Sequence, residues 1–562
     1  MEESFMITAL TPEARILVED AVQRLSAAYD AETGLVRWGP EALPSVRESL
    51  YAALGLMILG TDRGQAVRIC EAVLDLQLTA PGEIWHGCFR HHPGEPAPPS
   101  MPFDWRRLGL EGRYFADITW ERLSARYRQL LADSSLPPAA RDEARQLLLR
   151  ALRQTVPVVW DTYEPNLREF AGMVFAMLLE HFESRLPVSL VRRLEESGRQ
   201  LVTGSIARAK SDFTPLNTNI CIMYIFLLDW FGRRLDEPSW TEESLLQARK
   251  LLEEYREFHA VSEFNSPTYY GVDLSTVGFW RRYGSQEELQ ALGAELEEGL
   301  WRDAADFYNP EMKNFCGPYS RNYEMDMRIH TCFCDLMYLG LGASRFPLHP
   351  FSEESVCNPL LVLGQVSIPE DVIPQLTGPC VSRTLKRSFH ELSERGDPAC
   401  RHALCTAEAY ITPGLMLGAL SGSTNPSHQL HPLTVFWRNG EETGTIRLLR
   451  SLPGGRMCHL HTVLFNGRLE GTGIIMQIDN ETGQDADIFY EITCSGIREN
   501  RLLPDRWDLP GLTVRLAAQA PVPLVRRVDP ETVRVVYPSR TARPESLHMR
   551  FRLDPVQAEG HP

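Results

Sequence analysis

The chain has 562 residues, of which 43% are hydrophobic, 23% charged and 9% aromatic. That is the make-up of a folded globular protein, with room for two or three domains, and not of a disordered, collagenous or membrane-embedded chain. Lys and Arg total 57 against 74 Asp and Glu, a net charge of −17, which argues against nonspecific binding to nucleic acid or anionic membrane but allows an anionic substrate in a locally basic cleft.

The first residues, MEESFMITALTPEARILVEDAV, are acidic from position 2 and lack the basic start and continuous apolar core of a signal peptide. A cytoplasmic protein is therefore expected, or a secreted or periplasmic one if the N-terminus has been trimmed. The most apolar run, Ile220–Phe231, is interrupted by Asp229 and is well short of the roughly 20 residues of a membrane span. Twelve cysteines lie scattered without framework spacing and read as reduced, mostly buried thiols.

From residue 10 to about 345 apolar residues recur at three- and four-residue spacing. Segments 14–30, 46–60, 65–78, 139–154, 166–185, 189–210, 220–235 and 241–260 all follow this rule and predict about ten successive helices, able to pair as a ring of helical hairpins. Between them run loops rich in Pro, aromatic and polar residues, where function concentrates. RFPLHPFSEES reads as a linker. Beyond it the apolar runs shorten to strand length, among them PLLVLGQVSI, AEAYITPGLMLGAL, PLTVFWRN, GTIRLLRSL, GTGIIMQID, IFYEITCSG, TVRVVYP and LHMRFRLDP. With Gly, Asn and Asp turns between them, they predict an antiparallel sandwich of roughly ten strands. The expected organisation is a helical domain, 1–345, followed by a β-sandwich domain, 346–562.

Four constellations could carry chemistry. Asn217 and Asn219 stand at a helix N-terminus, where amides and free N–H groups favour an anion; an Asn cap with no ligand explains them too. Glu263-Phe-Asn265-Ser-Pro-Thr-Tyr269-Tyr270-Gly271 sets two tyrosines in a polar loop after His259. A phenol beside a cationic site can act as base and then as acid, with His259 as an alternative base. Tyr319-Ser-Arg321-Asn322-Tyr323-Glu324 offers a guanidinium to clamp a carboxylate, although a salt-bridge network accounts for it as well. In the β half, His428, His431, His459 and His461 could hold a divalent metal or present an imidazole; no clear third and fourth ligand is apparent, so no metal or other cofactor is expected. Trp85, His86, Trp105, Trp160 and Tyr163 lie on loops suited to stacking on sugars or to simple burial. No Walker loop, dinucleotide fingerprint, GxSxG elbow or HExxH occurs.

In architecture, nearly the whole chain resembles the heparinase II/III-like and chondroitin-lyase-like polysaccharide lyases; in motifs, a few short stretches do. SHQLHPLTVFW is similar to the heparinase-type His-Gln-His-Leu-Asp stretch, with His428 at the functional His, but Leu or Pro replaces the Asp, which puts that family's metal site in question. EFNSPTYYGVDL and GPYSRNYEMDM look like motifs of a branch acting on glycosaminoglycans. The resemblance implies an N-terminal (α/α) toroid, a C-terminal antiparallel β-sandwich and β-elimination across a uronic acid. It implies that Asn219 neutralises the carboxylate and that Tyr270, 51 positions on, acts at the scissile linkage. Arg321 is the expected arginine, and His259 or His428 shares the acid–base work. Asn217, Asn265, Tyr269, Tyr319, Tyr323, Trp85, His86 and Trp105 are the expected substrate contacts. The expected partner is an anionic uronate saccharide, not nucleic acid or membrane; no pattern specifies the oligomeric state. The rivals are an (α/α)-barrel hydrolase using paired carboxylates from Asp104, Asp161, Glu263, Glu324 and Asp326, and a noncatalytic carbohydrate-binding protein.

Overall fold

The computed structural model describes residues 10–90 except 40 and 84, then 92–94, 135, 137–142, 164–210, 216–348, 358–392, 402–425, 427–454, 463–480 and 485–557. Its contacts divide the chain into two compact units that are not consecutive in sequence. One comprises 1–252, 271–297 and 329–367, the other 253–270, 298–328 and 368–562. Two loops that the sequence places before position 345 therefore pack within the unit that holds the sheets.

The first unit is helical, and its helices form for local reasons. Pro12–Ala27 starts with Thr11 accepting the Ala14 N–H at 3.1 Å and with Pro12 in the first turn, and it buries Ala14, Leu17, Val18, Ala21 and Leu25 along one stripe. Val46–Leu59 stops at Gly60, whose φ of +69° is left-handed. Arg63–Leu74 is capped by Asp62, which accepts the Gln65 N–H at 2.8 Å. Leu167–Phe182, Val188–Ala209 and Thr218–Arg234 pack on one another in succession. Among the described residues this pairing does not amount to a closed barrel, and most of the expected 139–154 helix lies outside them. PLLVLGQVSI, read as a strand, instead forms the helical turn Leu361–Gly364, preceded by an Asn358 side chain that accepts the Leu360 N–H at 3.0 Å.

The second unit holds two antiparallel sheets. In the larger, the strands run in the order Leu524–Arg527, Thr532–Ser539, Ala486–Thr493, Glu442–Ser451, Leu433–Asn439, Leu415–Ser421, His402–Ile411 and Arg383–Leu392. The smaller has six strands, with His548–Gln557 between Gly473–Asn480 and Leu512–Gln519. The run AEAYITPGLMLGAL is not one strand but a hairpin turning at Pro413 and Gly414. The core between the sheets is aromatic. Tyr490 and Tyr537 of the larger sheet meet Phe551 of the smaller at 5.4 and 4.8 Å, and Trp507 joins Tyr490 at 5.3 Å. Strand Val463–Glu470 alternates between buried and more exposed positions, as a half-covered strand should. Strands Leu415–Ser421 and Leu433–Asn439 are instead buried almost throughout, so the larger sheet is covered on its outer face too.

Part of that cover is the segment after residue 315. Tyr319 and His431 pair as an antiparallel bridge, N–H to carbonyl at 3.1 and 3.0 Å. Gly317 lies against Thr434, and Gly418, paired with Thr434 in register, has no room for a Cβ because the Gly317 carbonyl occupies that space. Glycine at 418 thus permits the close approach of the segment to the sheet.

Candidate functional site

Within the sheet-bearing unit three loops are laced together. The first, 262–270, ends as Tyr270 opens the helix Tyr270–Tyr283, so the expected loop motif is half helix. Ser266 starts that helix, its carbonyl accepting the Tyr270 N–H at 2.9 Å and its hydroxyl the Tyr269 N–H at 3.2 Å. The second loop, 316–324, is bound to the first by Asn322, whose side-chain oxygen accepts the Thr268 N–H at 3.0 Å and hydroxyl at 2.5 Å. Ser320 adds a bond from its hydroxyl to the Phe264 carbonyl at 3.2 Å. The third, 423–431, joins through the Asn322 N–H donating to the Gln429 carbonyl at 2.8 Å.

Buried charges hold the third loop in place. Arg450, 2% exposed, donates to the carbonyls of Asn425 at 2.5 Å, Ser427 at 3.1 Å and Val463 at 2.7 Å. Glu391 accepts the Ser423 hydroxyl at 2.6 Å and the Thr424 N–H at 2.8 Å. Arg447 donates to the Tyr323 carbonyl at 2.9 Å, pairs with Glu324 at 3.3 Å and shares Glu491 with Arg534. Glu491 is consequently held below the usual carboxylate range in spite of its burial.

At the meeting of the first two loops stands Arg321. Its guanidinium pairs with the Glu263 carboxylate at 2.7 Å and lies 4.8 Å over the Tyr269 ring. Tyr323, 45% exposed, sets its ring 6.1 Å from that of Tyr269. Burial pushes the half-buried Tyr269 phenol well above its ordinary value; Arg321 pulls it back, while Tyr323 and Glu263 push it further. Tyr269 therefore carries its proton and is a donor in the resting protein.

Several other expected site residues are buried and hydrogen-bonded within the fold. Tyr270 is fully buried; its hydroxyl donates to the Asp303 carboxylate and accepts the Asn265 N–H at 2.8 Å, so it is engaged inside the fold. Asn265, 1% exposed and left-handed at φ +54°, donates its amide to the carbonyls of Cys316 at 2.6 Å and Pro318 at 3.1 Å. Tyr319 is buried, with its hydroxyl on the Phe315 carbonyl at 2.8 Å. His431 is buried too, and burial, then Arg447 and His428, push its imidazole well below its ordinary value. His428 is half-buried on the third loop. His259, exposed at the end of a helix with φ +52°, rests its ring on Tyr255.

Asn217 and Asn219 belong to the helical unit. Both are buried; Asn217 occupies the cap position of Thr218–Arg234 without making the side-chain cap bond. Trp85 and His86 are also buried there, not presented to solvent: His86 accepts the Ala80 N–H at 3.2 Å, and burial followed by Arg168 lowers its imidazole. Trp105, Trp160, Tyr163, His459, His461, Asp104 and Asp161 lie outside the described residues. Among the described residues no three His, Cys, Asp or Glu side chains are grouped to hold a metal ion, and no helix is long and apolar enough to cross a membrane. The remaining carboxylates of the hydrolase alternative are all paired to arginines, Glu263 to Arg321, Glu324 to Arg447 and Asp326 to Arg328.

The sequence reading missed Asp303, Glu391, Arg450 and Arg447. For Asp303 a signal existed: it interrupts the stripe Leu296, Leu300, Phe307 on one face of helix Glu287–Phe307, and a carboxylate on such a stripe is rarely buried without purpose.

Residues 151–349 match a family model described as a domain of unknown function (DUF8769). No curated protein matches the chain. Solved structures similar to it include a heparinase III, the BT4657 gene product, at 9% identity over 98% of this chain and 85% of that one, with a TM-score of 0.33. Another is the chondroitin lyase ODV-E66, a baculovirus envelope protein, at 10% identity over 71% of this chain and 77% of that one, with a TM-score of 0.20.

Proposed function

We propose that the protein is a lyase that cleaves uronate-containing saccharides by β-elimination, with its acid–base group on the loops around Arg321. The observation that carries this reading is the guanidinium of Arg321, fixed by buried Glu263 and stacked on Tyr269, beside the half-exposed ring of Tyr323. A fixed arginine next to a protonated phenol and a sugar-sized aromatic surface suits a uronate. The guanidinium takes the carboxylate and stabilises the charge that develops when the proton on C5 leaves. The C5–H electron pair becomes the C4–C5 double bond as the bond from C4 to the glycosidic oxygen breaks. Tyr269 is assigned the proton donated to that departing oxygen, and His428, on the loop tied to Asn322, the removal of the C5 proton. Tyr270 takes no direct part; it shapes the loop that presents Tyr269.

The test is ultraviolet absorbance of the purified protein with hyaluronan, chondroitin, heparan, alginate and pectate, alongside Arg321→Met and Tyr269→Phe. Growth of the unsaturated-uronate band, lost in both variants, is expected. New reducing ends without that band would replace elimination by hydrolysis, and binding without turnover would make the protein a carbohydrate-binding module.

A further inference from the structure

Beneath the Arg321 loops lies a carboxylate that the elimination itself does not use. Asp303 is 2% exposed; its Oδ2 accepts the Tyr270 hydroxyl and its Oδ1 has no hydrogen-bond partner among the described residues. The same Tyr270 oxygen accepts the Asn265 N–H at 2.8 Å. The Asn265 amide in turn holds the carbonyls of Cys316 and Pro318. Pro318 is three residues before Arg321, and Asn265 is two residues after Glu263. A continuous path of hydrogen bonds thus runs from one buried carboxylate to both loops that supply the Glu263–Arg321 pair.

We propose that Asp303 is a positioning residue for the Arg321 site, and that its ionisation sets, through Tyr270 and Asn265, how firmly the two loops are held. The proposal rests on the lyase reading only for what the site does; the linkage itself is a property of the fold. The charged and titratable groups facing Asp303 are Tyr270, Arg387 from strand Arg383–Leu392, and Asp306 one turn along its own helix. Arg387 is already paired with Asp306 at 2.6 Å, which leaves it a weak counter-charge for Asp303. Burial, the largest influence, together with Asp306 pushes Asp303 up to about 7 against the opposing pull of the Tyr270 bond and Arg387. The carboxyl therefore changes charge at working pH. Ionised, it is a buried charge with only a weak counter-charge, so openings of the two loops that admit water to it are favoured. Protonated, it keeps its bond with Tyr270 without that cost and both loops stay closed.

The test is hydrogen exchange of the peptides spanning 262–270 and 316–324, followed across the neutral pH range and corrected for intrinsic exchange, in the whole protein, in Asp303→Asn and in Tyr270→Phe. In the wild type both peptides should become less protected as pH rises through neutrality, beyond the intrinsic change. Asp303→Asn should remove that dependence, and Tyr270→Phe, which loses both the bond to Asp303 and the one from Asn265, should raise exchange by about tenfold or more and uncouple it from that dependence. The alkaline limb of the elimination rate should shift in Asp303→Asn alongside the exchange. Wild type and Asp303→Asn with the same pH dependence of exchange would overturn the proposal, even if unsaturated product forms. A dependence lost in Asp303→Asn without unsaturated product from any uronate glycan would support the linkage and overturn the lyase reading.

Discussion

Replacing Arg321 by methionine removes the guanidinium but keeps much of its length, and leaves the Glu263 side chain, 2% exposed, without its counter-charge. Breaking one side of a buried ion pair in this way costs about 3–5 kcal/mol. The reverse change, Glu263→Gln, keeps an acceptor oxygen at the same place and leaves an arginine that is 16% exposed and still stacked on Tyr269. Its cost should be nearer 1–2 kcal/mol, about that of weakening one charged hydrogen bond. The double variant restores neutrality and should be more stable than Arg321→Met alone, with a coupling of about 2 kcal/mol. Urea unfolding of the four proteins under one condition measures the cycle, and elimination assays on the same samples separate stability from chemistry. Glu263→Gln should keep activity because the guanidinium remains; Arg321→Met should lose it. If Arg321→Met were no more destabilising than Glu263→Gln, the pair would not be a buried one and the fixed position of Arg321 would have no support.

Two further outcomes follow from the same geometry. Asp303 is raised to about 7 in the folded protein, so the fold favours its protonated form; its contribution to stability is complete below the unfolded value near 4 and is lost as pH rises to about 7. Relative to Asp303→Asn, the wild type should lose stability over that interval by an amount on the order of 4 kcal/mol and run parallel to it above, and a constant difference in urea midpoints between pH 4 and 8 would refute this. Gly418→Ala drives a methyl group into the Gly317 carbonyl and Pro318, an overpacking of about 1–3 kcal/mol, with faster hydrogen exchange across 316–322; unchanged exchange there would mean that the segment does not rest on that glycine.

Much of the molecule is legible in its sequence, and the limits of that legibility are physical. The helical stripe of Ala14, Leu17, Val18, Ala21 and Leu25 and the short apolar runs after residue 380 announce a helical part and a sheet part, because periods of 3.6 and 2 are imposed by backbone geometry alone. The two loops around residues 263–270 and 316–324 also stand out, since Pro, Tyr, Asn and Arg there fit neither period. What the sequence could not decide is which of their residues faces inward. Tyr269 and Tyr270 are adjacent and chemically alike, but about 100° separates successive side chains at a helix start, so only one can point to the core. The left-handed turn at Asn265 and the helix opening at Tyr270 send Tyr270 inward to Asp303 and leave Tyr269 beneath Arg321. Asp303 lies 33 residues from its phenol, and Gly418 is 101 positions from the carbonyl it accommodates. Those contacts depend on how distant segments pack, which local periodicity does not encode, and it is they that decide which side chains of the two loops line the candidate site and which hold it in place.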